Sequence, residues 1–340
     1  MKPFTVVFTG GGSGGHVIPN FALIDYLKKI CPNLEIHYIG SSGIEKTLVT
    51  FEKAIFHEIT ARGFIREKSK FFKNFAVPFS FIKSVNQSVD ILKNIRPDVV
   101  FSKGGYVALP VVAAAKKLGI RSIIHESDMS VGLANKISKI YADVCLSSFP
   151  LSDKKFISVG SPLNQKIYDI DRTKAKNYFN LDSSKKTLLV TGGSLGAEFL
   201  NEFVKTNFEN LTKKFNLIVI CGKGKKLNIK NNKNFYQTEY TVDMPLFYAA
   251  ADLCLTRGGS NTLCELSVLG IPFVCVPLLR SSRGEQKQNA EYFSAKGHGA
   301  ILNEKNLDIK NFLSLSSFLK SKPDTSFDGT KLICEYILGK

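Results

Sequence analysis

The chain has 340 residues, 44% of them hydrophobic and 22% charged, which is the size and composition of two ordinary folded domains and excludes a disordered or fibrous protein. Its net charge of +17 admits an anionic partner, whether nucleic acid, a negatively charged membrane face or an anionic substrate, although lysine is abundant throughout. Seven cysteines without CxxC spacing exclude a disulfide frame or a zinc site and read as buried thiols; with no signal region and no apolar run of spanning length, a cytoplasmic protein is expected.

In chain order, Phe4 to Phe8 reads as a buried strand. The glycine loop Thr9-Gly10-Gly11-Gly12-Ser13-Gly14-Gly15-His16 follows and opens a helix from about Val17 to Ile30. Strands are expected at Glu35 to Ile39, Ala54 to Ile59, Asp98 to Phe101, Ser122 to His125 and Val144 to Leu146. Helices are expected at Ile44 to Phe51, over Lys70 to Asn94, up to Leu118 and at Gly132 to Ile140. After Gly160-Ser161-Pro162, which reads as an interdomain link, the pattern restarts with a helix near Thr173 and a strand at Thr187 to Val190. A second glycine loop, Thr191 to Ala197, leads on to strands at Leu217 to Cys221, Asn234 to Thr238, Leu253 to Leu255 and Phe273 to Val276. Two runs of alternating strands and helices predict an α/β chain with two doubly wound, Rossmann-like parallel-sheet domains facing across a cleft, 1–161 and 162–322, with a tail at 323–340.

The stretch Ala251 to Asn289 carries the most chemistry. Arg257-Gly258-Gly259-Ser260 turns from a strand into a helix, and such a terminus attracts phosphate through unpaired amides and the helix dipole. Glu265, one turn on, is placed to accept hydrogen bonds from sugar hydroxyls, and Gln286 and Asn289 return polar groups to the same mouth. A glycine turn, a carboxylate and a second polar loop suit a nucleotide with a diphosphate and a sugar. The bland alternative is an ordinary β-α-β unit.

Other motifs are weaker. Gly10, Gly12 and Gly15 match the dinucleotide fingerprint, but strand two ends Ile39-Gly40-Ser41-Ser42, without the acid that would hold a ribose. A P-loop is excluded because His16 stands where lysine is required. Asp169-Ile170-Asp171 resembles a metal-holding acidic pair, but Asp171 precedes a helix and reads as an N-cap, and no metal or cofactor is expected. His16 either takes a proton from an attacking hydroxyl or braces the glycine turn, and Glu126 is either a base or a positioning group. In Gly63 to Lys83, Phe64, Ile65, Phe71, Phe72 and Phe75 interleave with Arg66, Lys68, Lys70 and Lys73. That pattern suits docking on an anionic bilayer, or else a helix with an aromatic core face and solvated lysines. No nucleic-acid module is recognisable.

Taken together these motifs resemble the MurG family of bacterial transferases, within glycosyltransferase family 28. The resemblance covers nearly the whole chain. It rests on Gly11 to His16, similar to the family's GGTGGH, Gly104-Gly105-Tyr106-Val107, His125-Glu126 with Gly132 to Lys136, Gly192 to Ala197, and the stretch containing Glu265, Gln286 and Asn289. It implies the GT-B fold and inverting transfer of N-acetylglucosamine from UDP-N-acetylglucosamine to the C4 hydroxyl of undecaprenyl-linked muramyl-pentapeptide, in peptidoglycan synthesis. The setting implied is peripheral, at the cytoplasmic membrane face, without a cofactor. Donor contacts are implied for Ser194, Thr241, Ser260, Asn261, Thr262, Leu263, Cys264, Glu265, Gln286 and Asn289. Ser13, Gly14, Gly15, Tyr106, Asp128 and Asn135 are implied on the other domain, with His16 and Glu126 as the catalytic candidates. Two positions depart: the family's HEQN is here His125-Glu126-Ser127-Asp128, and its arginine after the interdomain proline is here Asn164. Lys166, two residues on, is expected to supply the missing cation.

Overall fold

The structure, a computed structural model, describes residues 2–51, 54–63, 77–193, 196–278 and 283–340. In the first part of the chain, β1 (Phe4–Thr9), α1 (Gly14–Ile30), β2 (Leu34–Gly40), α2 (Ile44–Phe51), β3 (Ile55–Glu58), α3 (Val77–Ile95) and β4 (Val99–Ser102) alternate strictly. They continue into α4 (Ala108–Lys117), β5 (Ser122–Glu126), α5 (Leu133–Ser138), β6 (Val144–Ser147) and β7 (Phe156–Ser158). Among the described residues these form a seven-stranded sheet in the order β3-β2-β1-β4-β5-β6-β7, parallel throughout. Parallel pairing demands a crossover at every step, so both faces are covered and the strands read as unbroken apolar runs. Val6, Val7 and Phe8 of β1 and Val99, Val100 and Phe101 of β4 are accordingly fully buried.

The second part runs α6 (Arg172–Tyr178), β8 (Lys186–Thr191), α7 (Glu198–Thr206), α8 (Phe208–Lys214), β9 (Phe215–Ile220), β10 (Phe235–Thr238), α9 (Met244–Ala250) and β11 (Leu253–Thr256). Then follow α10 (Ser260–Val268), β12 (Phe273–Cys275), α11 (Glu285–Ala295), β13 (Gly299–Ile301) and α12 (Ile309–Phe318). The described strands make a six-stranded parallel sheet in the order β10-β9-β8-β11-β12-β13. Its core gathers Leu188, Val190, Leu217, Val219, Leu255 and Val274 from the strands with Leu200, Phe203 and Phe312 from the helices.

Contacts divide the chain into two units: Met1–Leu163 with Gly329–Lys340, and Asn164–Asp328. The last helix, α13 (Thr330–Leu338), therefore belongs to the first unit. Ile333, Cys334 and Ile337 are fully buried in the core that holds β1 and α1. The Thr330 hydroxyl donates to the Leu163 carbonyl at 3.1 Å and accepts from the Leu163 amide at 2.8 Å, pinning the point where the chain leaves this unit.

Both sheets reverse their winding between the first and fourth strand in sequence, β1 and β4 in one unit and β8 and β11 in the other. In doubly wound sheets ligands gather outside the carboxyl ends of such strands. Each of these four ends carries a glycine turn. At Gly105, φ is 84° and an added Cβ would run into the carbonyl oxygen of Gly11, so the turns after β1 and β4 interlock only because both are bare.

Two strands escaped the sequence reading. β7 and β13 have three residues each and sit at sheet edges, too short for a periodic signal. The long helix expected over Lys70 to Asn94 is described only from Val77.

Candidate active site

In the first unit the glycine loop leaves β1 and enters α1 at Gly14, with Ser13 as an extended cap whose carbonyl takes the His16 amide at 3.1 Å. Gly14 is buried; Ser13 and Gly15 are exposed. The Tyr38 hydroxyl donates to the Gly10 carbonyl at 2.7 Å. The Tyr106 ring lies over Gly12, where a Cβ would approach Cε1 to 2.8 Å. Beneath the loop lies Glu45, fully buried in the first turn of α2. Its carboxyl group accepts from the Ser41 amide at 3.0 Å, the Ser41 hydroxyl at 2.5 Å and the Gly12 amide at 3.4 Å. The dinucleotide fingerprint lacked an acid at the end of β2, and this one arrives five residues later, gripping the loop itself.

His16 is partly exposed in the first turn of α1, and its Nδ1 lies 3.1 Å from the carbonyl oxygen of Lys103. A carbonyl only accepts, so Nδ1 carries the proton and Nε2 keeps its lone pair. Desolvation, then the Lys103 cation, hold the ring's pKa below the ordinary histidine value, while Glu126 and Asp128 pull the other way. A neutral imidazole with a bare Nε2 is the form that accepts a proton.

Glu126, at the end of β5, is 3% exposed. One carboxyl oxygen accepts from the amides of Ser127 at 2.9 Å and Asp128 at 3.1 Å. The other accepts from the Gly132 amide at 2.8 Å and Asn135 Nδ2 at 3.0 Å. Four donors use the group's four acceptor positions. Of the two expected roles, base or positioning group, this geometry matches the second: the carboxyl group clamps the loop between β5 and α5. Asn135, 3% exposed, is part of that clamp, its amide also reaching the His125 carbonyl at 3.2 Å. Asp128 contributes its backbone to the clamp and remains partly exposed.

In the second unit, β11 ends at Thr256 and α10 begins at Ser260, with Gly259 as an extended cap that has no side chain to cover the helix amides. No acid occupies the first turn of α10. A helix start of this kind leaves its first amides without intrahelical acceptors and holds anions. Gln286 Oε1 accepts from the amides of Gly258 at 3.3 Å and Leu278 at 3.0 Å. Two N–H partners fix that atom as oxygen and turn the amide nitrogen away from both. Asn289, fully buried, donates to the Gly258 carbonyl at 3.1 Å and braces the turn from below.

Glu265 is partly exposed, and its Oε2 accepts from the Tyr248 hydroxyl at 2.6 Å. Desolvation pushes its pKa up to about 7, and the Tyr248 bond opposes the rise. Among the described residues Oε1 has no protein donor, which leaves it for a hydroxyl from outside. Tyr248 comes from α9, and Thr262 lies within its hydrogen-bond reach. Thr241, partly exposed just before α9, accepts from the Asp243 amide at 3.0 Å.

Several expectations need correction or relocation. Leu263 and Cys264 are fully buried on the core side of α10, and the Leu263 amide already bonds Gly259, so their side chains are not substrate contacts. Helical spacing turns them inward, below the buried Ser260 of the first turn, while Thr262 and Glu265 are partly exposed. Asn164 caps a 3-10 turn, Gln165–Tyr168, accepting from the Lys166 amide at 3.1 Å. The Lys166 side chain is exposed, and the turn packs on α9. Arg257 is tied to the Val276 carbonyl at 3.0 Å and to Glu304 at 2.7 Å, a structural pairing. Asp171 caps α6 through the Lys174 amide at 2.8 Å, as the capping reading requires. Ser194 lies outside the described residues, as do Phe64, Ile65, Arg66, Lys68, Lys70, Phe71, Phe72, Lys73 and Phe75. Of the docking stretch, Phe79 is 77% exposed, Ile82 is 59% exposed, and Lys83 is exposed at the start of α3. Sequence reasoning missed Glu45, Tyr248 and the side chain of Lys103. Only Lys103 had a visible signal, a lysine between a buried strand and a glycine pair.

Comparison with known proteins places this geometry. Residues 6–147 match the glycosyltransferase family 28 N-terminal domain and residues 187–326 match its C-terminal domain. A Clostridium tetani protein is 38% identical over 323 residues, covering 92% of this chain and 89% of that one. A Clostridium botulinum protein is 38% identical over 353 residues, covering 98% of each. Both are named UDP-N-acetylglucosamine–N-acetylmuramyl-(pentapeptide) pyrophosphoryl-undecaprenol N-acetylglucosamine transferase. The crystal structure of Acinetobacter baumannii MurG superposes with a TM-score of 0.74 at 23% identity, covering 99% of this chain and all of that one. The calicheamicin glycosyltransferase CalG4 gives 0.68 at 13%. These likenesses establish the GT-B fold, and with relatives of this identity along nearly its whole length the chain belongs to glycosyltransferase family 28.

Proposed function

We propose that the protein transfers N-acetylglucosamine from UDP-N-acetylglucosamine to the C4 hydroxyl of undecaprenyl-linked muramyl-pentapeptide. The observation that carries this reading is the near full-length similarity to transferases bearing that name. The second unit supplies a matching donor site. The diphosphate takes the bare start of α10, the free oxygen of Glu265 accepts from sugar hydroxyls, and the Gln286 amide donates. The first unit supplies the base. As the acceptor oxygen forms its bond to the anomeric carbon, the bond from that carbon to the β-phosphate oxygen breaks. UDP leaves with the electron pair, the hydroxyl proton passes to Nε2 of His16, and the anomeric configuration inverts.

The lipid-linked acceptor stays in the bilayer, so the enzyme works at the membrane surface. No helix among the described residues is long and apolar enough to cross a membrane. Exposed Phe79 and Ile82 beside Lys83 suit shallow insertion beneath anionic headgroups.

The test is incubation with UDP-N-acetylglucosamine and the lipid-linked muramyl-pentapeptide, following UDP release and the disaccharide product. Turnover with this acceptor and none with diacylglycerol is expected. Transfer to diacylglycerol alone would move the protein to another acceptor class in the same family.

A further inference from the structure

We propose that Lys103 is a positioning residue for the transfer, fixing the tautomers of His16 and His125 together and keeping Nε2 of His16 bare. The inference rests on the reading of His16 as the base. Lys103 follows β4 directly, its amide bonded to the Thr9 carbonyl at 3.0 Å and its side chain 1% exposed. It acts on the two histidines by different atoms. Its backbone carbonyl accepts from His16 Nδ1, at 3.1 Å. Its ammonium donates to His125 Nδ1 at 2.7 Å and also bonds Ser127 Oγ. An ammonium only donates, so His125 Nδ1 is the acceptor and its Nε2 carries the proton, which goes to the Gly160 carbonyl at 2.9 Å. One residue thus sets opposite tautomers on two rings.

The charge matters as much as the bonds. His125 is fully buried; desolvation and then the Lys103 cation hold its pKa well below the ordinary histidine value, so it stays a neutral acceptor. The same cation opposes protonation of His16. The groups facing His16 are Lys103 from the end of β4 and Glu126 and Asp128 from β5 and its loop. Glu45 of α2 turns its carboxyl group to Gly12 and Ser41. Without Lys103 only desolvation would oppose the two acids, and the balance at His16 would shift toward imidazolium, which cannot accept a proton. Ser127 and Asp128 are where the chain departs from the family's HEQN. Lys103 is bonded to the first of them, so the cation and the altered loop form one assembly.

The test uses the full chain with isotopically labelled histidine. Nitrogen chemical shifts should report Nδ1–H for His16 and Nε2–H for His125. In Lys103→Met the His16 titration midpoint should rise toward the ordinary histidine range, and in Lys103→Arg it should stay low. The acid limb of kcat/KM should move upward in Lys103→Met alone. If Lys103→Met does not fold, Lys103→Gln, which keeps a donor but loses the charge, carries the same measurement. An unmoved His16 midpoint in a folded, uncharged variant would overturn the proposal, and so would the opposite tautomers. A midpoint that rises while the acid limb stays in place would uphold the positioning of His16 and contradict its role as the base.

Discussion

The two units share one plan, a parallel sheet whose winding reverses beside a pair of glycine turns, yet they equip that junction differently. In the first unit the Gly12 amide meets the carboxyl group of Glu45, and the neighbouring turn brings His16, Lys103, His125 and a saturated Glu126 together. In the second, the Gly258 amide meets the neutral amide oxygen of Gln286, and the start of α10 carries no acid. Two unit charges 4 Å apart interact by about 4 kcal/mol at an effective dielectric constant of ~20, so a formal charge at such a junction weighs heavily on an arriving diphosphate. The comparison teaches that one plan is equipped twice with different side chains, a histidine, lysine and carboxyl cluster in one unit and an acid-free helix start in the other, and the proposed division into proton handling and anion holding rests on that difference.

The largest expected effect follows from removing the base. His16→Ala should lower kcat by about 10²–10⁴-fold while calorimetry finds donor affinity nearly unchanged. A variant that instead loses thermal stability and binds substrates loosely, with kcat preserved, would make His16 a brace and erase the division of labour. Glu265→Ala should weaken UDP-N-acetylglucosamine binding by about 1–3 kcal/mol with little effect on acceptor KM, the cost of a lost charged hydrogen bond. Glu126→Gln should lower unfolding stability by about 1–3 kcal/mol, because an amide nitrogen would face buried N–H donors. If it abolishes turnover with stability intact, Glu126 handles protons after all.

Much of this division could be read before any coordinates. Strand and helix alternation, the glycine turns and the Ser260–Glu265 segment are local patterns, and each lies where its spacing placed it. What stayed hidden depends on distance in sequence. Tyr248 meets Glu265 only because α9 packs beside α10, and the Glu45 grip on Gly12 spans α1 and β2. The inward aim of the Leu263 and Cys264 side chains was hidden because the donor motif is contiguous in sequence, whereas a helix buries one face of it. From its position at a strand end Glu126 reads equally as a base or a positioning group; the four donors that converge on it come from residues up to nine positions away and carry the positioning reading.

Smaller effects sharpen the contrast through pH. Burial raises the Glu265 pKa to about 7, so its ionised form is disfavoured in the folded protein. Its contribution to stability should fall as pH rises from the ordinary carboxylate range to about 7 and level off beyond. Donor affinity should run the other way, tightening through the same midpoint as the carboxylate gains charge to accept from hydroxyls. Glu265→Gln should flatten that dependence, and Tyr248→Phe should move the midpoint upward, since the Tyr248 bond opposes the rise. Lys166→Ala should raise donor KM only a few-fold, in line with about 0–1 kcal/mol for an exposed charge.

The central claim is that the second unit alone holds the donor, and calorimetric titration of UDP-N-acetylglucosamine and of UDP into wild type, Glu265→Ala and His16→Ala tests it most directly. The account predicts that Glu265→Ala binds UDP-N-acetylglucosamine about 5- to 150-fold more weakly, with a smaller loss for UDP itself, while His16→Ala matches wild type for both. Wild-type affinity in Glu265→Ala together with a comparable loss in His16→Ala would place the donor on the first unit and contradict the account.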